Sequence, residues 1–171
     1  MMVVPSVSSA AVVTFVVDAK EHSSNMLNGL ATGIFLEEGE GFVVSADVDD
    51  MWFLSGETTE YTNADGLEDY PLYPQGNLTA LYGTLVGQIA EGDFFAIGTQ
   101  FTGTAANAGE LYLYNWDSGN SGNLDVITVT VTTEDKPQVF AATSVHVVPV
   151  PASSWLLVTA IAGFGLMRRF L

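Results

Sequence analysis

Hydrophobic and polar residues alternate along this chain in short runs with a period near two. The clearest runs are residues 12–17, 41–46, 94–98, 110–114 and 126–132, each rich in β-branched or aromatic residues and set apart by Gly, Asn and Asp. In the last of them Ile127, Val129 and Val131 alternate with Thr128, Thr130 and Thr132, the pattern of a strand with one dry face and one wet face. Ahead of the C-terminal segment no stretch carries a capped apolar period of 3.6 residues. Many short strands with turn-rich connections predict an all-β domain over residues 12–144, an antiparallel β-sandwich or jelly roll. Residues 55–81 interrupt the pattern with Pro71, Pro74 and five acids, and a connection of that length in a compact domain is either functional or mobile.

The C-terminus has a different character. Residues 145–151 read as a proline-marked linker, and residues 152–171 as one short hydrophobic helix ending in Arg168 and Arg169. The largely apolar stretch, residues 155–167, is thirteen residues long, whereas a bilayer core asks for about twenty helical residues. Two arginines directly after it follow the positive-inside rule, which holds the C-terminus in the cytoplasm and sends the body outward. Ala160, Ala162, Gly163 and Gly165 form a small-residue face of the kind used where membrane helices pack on a partner. A buried core helix is the competing reading, disfavoured because the stretch has almost no polar face.

Val148-Pro149-Val150-Pro151-Ala152, the apolar stretch and the Arg168-Arg169 stop together resemble the PEP-CTERM sorting signal of Gram-negative bacteria in its Val-Pro-x-Pro-Ala variant. Val150 stands where the usual glutamate would lie between the prolines. The resemblance implies Pro149, Pro151, Ala152, Arg168 and Arg169 as the sorting signal, recognition by an exosortase, anchoring in the inner membrane through the C-terminal helix, and cleavage near the prolines. The mature domain would then reach the cell surface or the extracellular matrix. Export calls for an N-terminal signal peptide with a basic start. Residues 1–11 contain no Lys or Arg, but Ser8-Ser9-Ala10-Ala11 has the small residues of a cleavage region, so the segment reads as a signal-peptide remnant or a disordered leader.

Charge agrees with an exported protein. All twenty acids lie between Asp18 and Asp135, and only Lys20 and Lys136 oppose them outside the tail. Such a field repels nucleic acid, so no nucleic-acid partner is expected, and it attracts Ca2+, which selects carboxylate and carbonyl oxygens. With no cysteine there is no disulfide framework, thiolate zinc site or thiol nucleophile.

A second resemblance runs over residues 12–133. Gly83-Thr84-Leu85-Val86-Gly87-Gln88-Ile89, then Phe95-Ala96-Ile97-Gly98, Gly109-Glu110-Leu111-Tyr112-Leu113-Tyr114-Asn115 and Asn120-Ser121-Gly122 are similar to the small jelly-roll domains of the calcium-dependent galactophilic lectins. In that family the loop after the Tyr-Asn strand end supplies Ca2+ ligands, and the metal takes two sugar hydroxyls. Carried across, Asn120 matches the second asparagine of the Asn-Asn-Ser-Gly pattern, Gly119 replaces the first, Trp116 takes the place of the aspartate, and the loop is about two residues shorter. The resemblance implies Asp117, Asn120, Ser118 and Asn115 as the metal set, with a backbone carbonyl from near Trp52. The sugar-contacting histidine and glutamine of the family have no counterpart, since His22 and His146 fall in other regions.

The same loop, Asp117-Ser118-Gly119-Asn120-Ser121-Gly122, also suits a tight hairpin without a ligand. Its Asp-Ser-Gly triplet matches an aspartic-protease triplet, but no second aspartate stands in a matching context. Asn63-Ala64-Asp65-Gly66 with Glu68-Asp69 hints at another cation loop but lacks EF-hand spacing. Trp52, Phe53, Tyr61, Tyr70, Tyr73 and Tyr82 gather around this acidic section, and rings beside carboxylates are what sugar recognition uses. Asn63, Asp65 and Trp52 are therefore the candidate sugar contacts. Three functions stay open: a carbohydrate-binding surface domain taking an extracellular polysaccharide or galactoside, a structural matrix component without a ligand, and a glycoside hydrolase. The last needs two carboxylates about 5–9.5 Å apart in a cleft, and the chain shows no nucleophile–base constellation, so it is read as a non-enzyme.

Overall fold

A computed structural model describes residues 10–55 and 59–134. The chain divides into a compact unit ending at Pro137 and a second unit, Gln138–Leu171. The sorting-signal residues Pro149, Pro151, Ala152, Arg168 and Arg169, the expected domain end at 144, the linker and the hydrophobic helix all lie outside the described residues, as does the leader up to residue 9. Among the described residues no helix is long and apolar enough to cross a membrane.

The period-two runs are strands. These are β1 (Ala11–Asp18), β2 (Leu30–Leu36), β3 (Gly41–Ala46), β4 (Trp52–Ser55), β5 (Thr59–Thr62), β6 (Tyr73–Gln75), β7 (Leu78–Ala80), β8 (Leu85–Ile89), β9 (Phe94–Ala96), β10 (Gln100–Thr104), β11 (Gly109–Asn115) and β12 (Val126–Thr133). One antiparallel sheet has the order β1-β12-β3-β10 and the other β2-β11-β8-β9. Ile127, Val129 and Val131 on β12 and Val17, Phe42 and Val44 beside them are buried, and they share one core with Leu36, Leu85, Ile89, Leu111 and Leu113 of the second sheet. Thr128, Thr130 and Thr132 point the other way, as the alternation requires. This is an all-β antiparallel sandwich; its only helical piece among the described residues is a 3-10 turn, Ser24–Met26.

The section expected to be irregular contains two small hairpins, β4–β5 and β6–β7. Their strands are three or four residues long, too short to show a period, and they exist because the sandwich supplies surfaces to lie on. Trp116, Val86 and Tyr114 on the outer side of the second sheet collect Ala80, Tyr73, Leu78 and Phe94 into a separate apolar cluster that holds β6–β7 down. Tyr73 and Phe94 pack on the Trp116 ring at 5.8 and 5.4 Å between centroids, and the Trp116 Nε1 donates to the Tyr73 carbonyl at 2.9 Å.

Candidate functional site

The chain leaves β11 in one sheet at Asn115 and enters β12 in the other at Val126, so residues 116–125 must cross an end of the sandwich. Two other segments meet them there. The turn after β1 comes in through the Ala19 N–H, which donates to the Asp125 carbonyl, and through the Asn115 N–H, which donates to the His22 carbonyl. Strand β4 meets the loop where Phe53 and Leu124 exchange backbone hydrogen bonds at 3.0 and 3.1 Å. Gly122, at φ 91°, lies so close to Ser55 that an added Cβ would meet its Oγ at 2.6 Å, so both backbone conformation and space require glycine here.

Asn123 and Asp117 form the centre of this end. The Asn123 side chain is buried; its Nδ2 donates to Asp117 Oδ2 at 2.8 Å and also lies 3.3 Å from the Ala19 carbonyl and 3.4 Å from the Gly119 carbonyl. Its Oδ1 accepts the Ser55 N–H at 3.0 Å. Asp117 is 5 % exposed, and its other oxygen accepts the Gly119 N–H at 3.2 Å. Burial raises its carboxyl above the ordinary aspartate value, against the lowering effect of the bonds from Asn123, Gly119 and Ser118. Asn115 is fully buried with its Nδ2 on the same Ala19 carbonyl at 2.9 Å, and its Oδ1 has no hydrogen-bond partner. Ser24 closes the underside: its Oγ accepts the Asp117 N–H and lies 3.0 Å from Gln75 Oε1. His22 accepts the Asp18 N–H through Nδ1, and burial pushes its imidazole down despite the nearby Asp18 and Glu21.

Of the residues expected at a metal site, Asp117 and Asn115 therefore come together. Asn120 turns outward and donates to the Lys20 carbonyl at 3.1 Å, while Ser118 is exposed. Trp52 must be corrected. Its indole is completely buried, with Nε1 donating to the Gly83 carbonyl at 3.1 Å, so it is core and offers no face to a sugar. The carbonyls that converge on the loop come from Ala19 and Gly119, while the Phe53 carbonyl is taken by Leu124. Asn123 is the residue sequence reasoning missed. The β12 alternation does not reach back to it, because Asp125 between them is exposed and turns the chain at φ 68°. Among the described residues no three His, Cys, Asp or Glu side chains converge as a metal cluster. Any cation here would depend on one carboxylate with amide and carbonyl oxygens, a hard-oxygen set of the kind Ca2+ accepts.

Asn63 and Asp65 lie apart from this loop, in a cleft of about 320 Å³ that also exposes Tyr61, Glu60, Glu68 and Asp69. The Tyr61 ring is 58 % exposed and leans on Phe53 at 5.1 Å. Asn63 and Asp65 are largely engaged in shaping their own loop. Asn63 accepts the Asp65 N–H and donates to the Val48 carbonyl, and Asp65 accepts both the N–H and the hydroxyl of Thr99 at 2.7 and 3.0 Å. The outward ring and the remaining carboxylates are the groups this cleft presents to a ligand.

No protein-family profile matches the chain, and no curated protein matches it. Eight solved chains do match. One, described as the EclA N-terminal domain, a PllA-like lectin, aligns with a TM-score of 0.52 at 21 % identity over 71 % of this chain and 95 % of its own. Another, a functionally unknown conserved protein mutant from Bacillus anthracis str. Ames, aligns with a TM-score of 0.34 at 13 % identity over 74 % of this chain and 22 % of its own, too distant to carry an argument. The first likeness spans nearly the whole lectin domain, so the described sandwich has a lectin-like fold.

Proposed function

We propose that this chain is an exported carbohydrate-binding domain whose ligand end is the loop of residues 116–125. One observation carries the reading: a buried carboxylate, Asp117, and the unpaired Oδ1 of buried Asn115 belong to one loop at the crossing of a lectin-like sandwich, where Asn123 and Asn115 both reach the Ala19 carbonyl. Buried anions and orphaned carbonyl oxygens are costly unless something satisfies them. The donor set fits a Ca2+ ion in type, and Asp117, Asn115 and the Ala19 and Gly119 carbonyls would hold it. When bound, the ion would supply open coordination positions for vicinal sugar hydroxyls. The Asn123 amide nitrogen now takes three of those oxygens, so a cation competes with it directly. With a single carboxylate the affinity belongs at the weak end, about 10⁻⁴–10⁻³ M, as in extracellular modules. Tyr61 and the cleft acids provide a second polar and aromatic surface for a longer glycan.

Export rests on the sequence order of Val148-Pro149-Val150-Pro151-Ala152, apolar stretch and arginines, with an exosortase as the processing partner and the cell surface or matrix of a Gram-negative bacterium as destination.

The test is calorimetric titration of the full chain with Ca2+ after chelator treatment, followed by a galactoside. Saturable calcium binding, sugar binding only in its presence, and loss of both in Asp117→Ala are expected. If neither ligand gives a saturable signal, the loop is a hairpin and the chain is a structural matrix component on a lectin-like scaffold. Turnover of a chromogenic glycoside by the same preparation would instead assign the cleft acids to catalysis.

A further inference from the structure

Sheets protect their edges because an unpaired strand presents a row of free N–H and C=O groups to any other strand. Among the described residues the two main sheets have four edges, and three of them are blunted. Strand β2 breaks its register against β11 between Glu110 and Tyr112, with Gly33 at φ 69° where the irregularity falls. Strand β9 is three residues long, and β10 is five with Gly103 inside it. The fourth edge, β1, pairs with β12 in unbroken register over eight residues. From Ala11 to Val17 it contains no Pro, Gly or charged residue. Three of its four valines are exposed, Val12 63 %, Val13 39 % and Val16 54 %, while Val17 is in the core.

The face beside that edge is equally bare. Register sets Val12, Thr132, Val43 and Thr102 in one row across the sheet and Thr14, Thr130, Ser45 and Gln100 in the next. In a chain of formal charge −16 these two rows hold no charge at all. Asp47, Asp49 and Asp50 line a groove with Ser45, Thr128 and Thr130 on the β12–β3 side, while Asp18 ends β1 and Glu134 shares a groove with Ala10 at its start.

We propose that two copies of this chain pair antiparallel through β1, joining their four-stranded sheets into one of eight. A two-fold axis at Thr14 makes the edge self-complementary. On the outer face Val12 opposes the partner's Val16, and Thr14 opposes the partner's Thr14; on the inner face Val13 opposes the partner's Phe15. The paired length is Val12 to Val16, because both backbone groups of Asp18 are already taken by His22; within it no charged residue faces another, which is the condition for pairing two strongly acidic molecules. The two-fold axis at Thr14 is five residues from Ala19, where β1 turns into the loop end, and residues 12–16 include none of the groups proposed to hold calcium.

The test uses the full chain in a non-ionic detergent that covers the apolar C-terminal stretch, with particle mass read by light scattering. Two chains per particle are expected. Thr14→Lys, on the solvent side of β1, places two like charges across the axis and is expected to reduce the particle to one chain of 18.2 kDa. Thr102→Lys, on the opposite edge of the same sheet, is expected to leave two. Directly opposed α-carbons lie about 4.5–5.5 Å apart, within the span of about 4.4–6.8 Å that a disulfide bridges. Since the chain has no cysteine, Thr14→Cys is expected to yield a covalent dimer on mild oxidation. A wild-type particle of one chain, a two-chain particle unaffected by Thr14→Lys, or a Thr14→Cys chain that stays uncrosslinked each overturns the pairing. Protection of the β1 amides from hydrogen exchange in a single-chain particle would give the edge to another segment of the same chain, and also overturns it.

Discussion

Replacing Asn123 by alanine tests whether one buried amide holds the loop end of the sandwich together. The side chain is 1 % exposed, satisfies the Ser55 N–H through Oδ1 and Asp117 Oδ2 through Nδ2, and brings the Ala19 and Gly119 carbonyls to one point. Alanine leaves two groups without partners, a backbone donor and a carboxylate oxygen. Each unsatisfied buried group costs about 1–3 kcal/mol, with charged groups at the upper end, so a loss of about 3 kcal/mol is expected. For a domain of this size that corresponds to a fall in Tm of roughly 10 °C. The assay is thermal unfolding of the full chain by circular dichroism in chelator, beside Asn123→Asp. The aspartate variant sets a second carboxylate at the 2.8 Å contact with Asp117 and is expected to melt lower still, because one of the two acids must take up a proton. Adding Ca2+ is expected to raise the Tm of both variants by more than that of the wild type, since a cation then replaces the missing amide among the same oxygens. A fall of less than about 3 °C for Asn123→Ala would refute the reasoning. A full loss that calcium leaves unchanged in both variants keeps Asn123 as the structural tie and removes the calcium proposal.

The raised carboxyl of Asp117 has a definite sign in pH. Because its native value lies above the unfolded one, the stability linked to this group is fully present below about pH 4 and is lost as pH rises through the native value. In chelator the stability difference between wild type and Asp117→Ala should therefore be largest near pH 4 and shrink toward neutrality, as denaturant titration at several pH values would read; a difference that grows with pH contradicts it. Trp52→Ala is expected to lose about 3–5 kcal/mol as a core truncation, whereas Tyr61→Ala, more than half exposed, should leave the denaturation midpoint within about 0.5 kcal/mol of wild type. Equal effects of the two on stability would overturn their assignment to core and surface.

Much of the scaffold was legible locally. Strands such as β12 and β3 announce themselves because every second side chain is dry, and that alternation is a property of neighbouring residues alone. Strand β2 was not legible, since Gly33 and its broken register against β11 spoil the period, and the two hairpins were too short to have one. At the loop end, the resemblance pointed to Asp117 and Asn115, which the fold buries in one loop, but Trp52 could not be placed from sequence. An aromatic residue amid acids has the composition of a sugar platform, and only the facing of a four-residue strand decides that its ring fills the core.

By itself the sequence determined the β class, the acidic field, the absence of thiol chemistry and the three-part C-terminal segment, all of which depend on residue type or on spacing along the chain. Tertiary structure alone decided which oxygens meet. The Ala19 carbonyl and the Asn123 amide are 104 residues apart in sequence, and they touch because a loop passing from one sheet to the other must cross the end where β1 turns. It decided as well which strands end the two main sheets among the described residues, because an edge exists only once every other strand has found its neighbour.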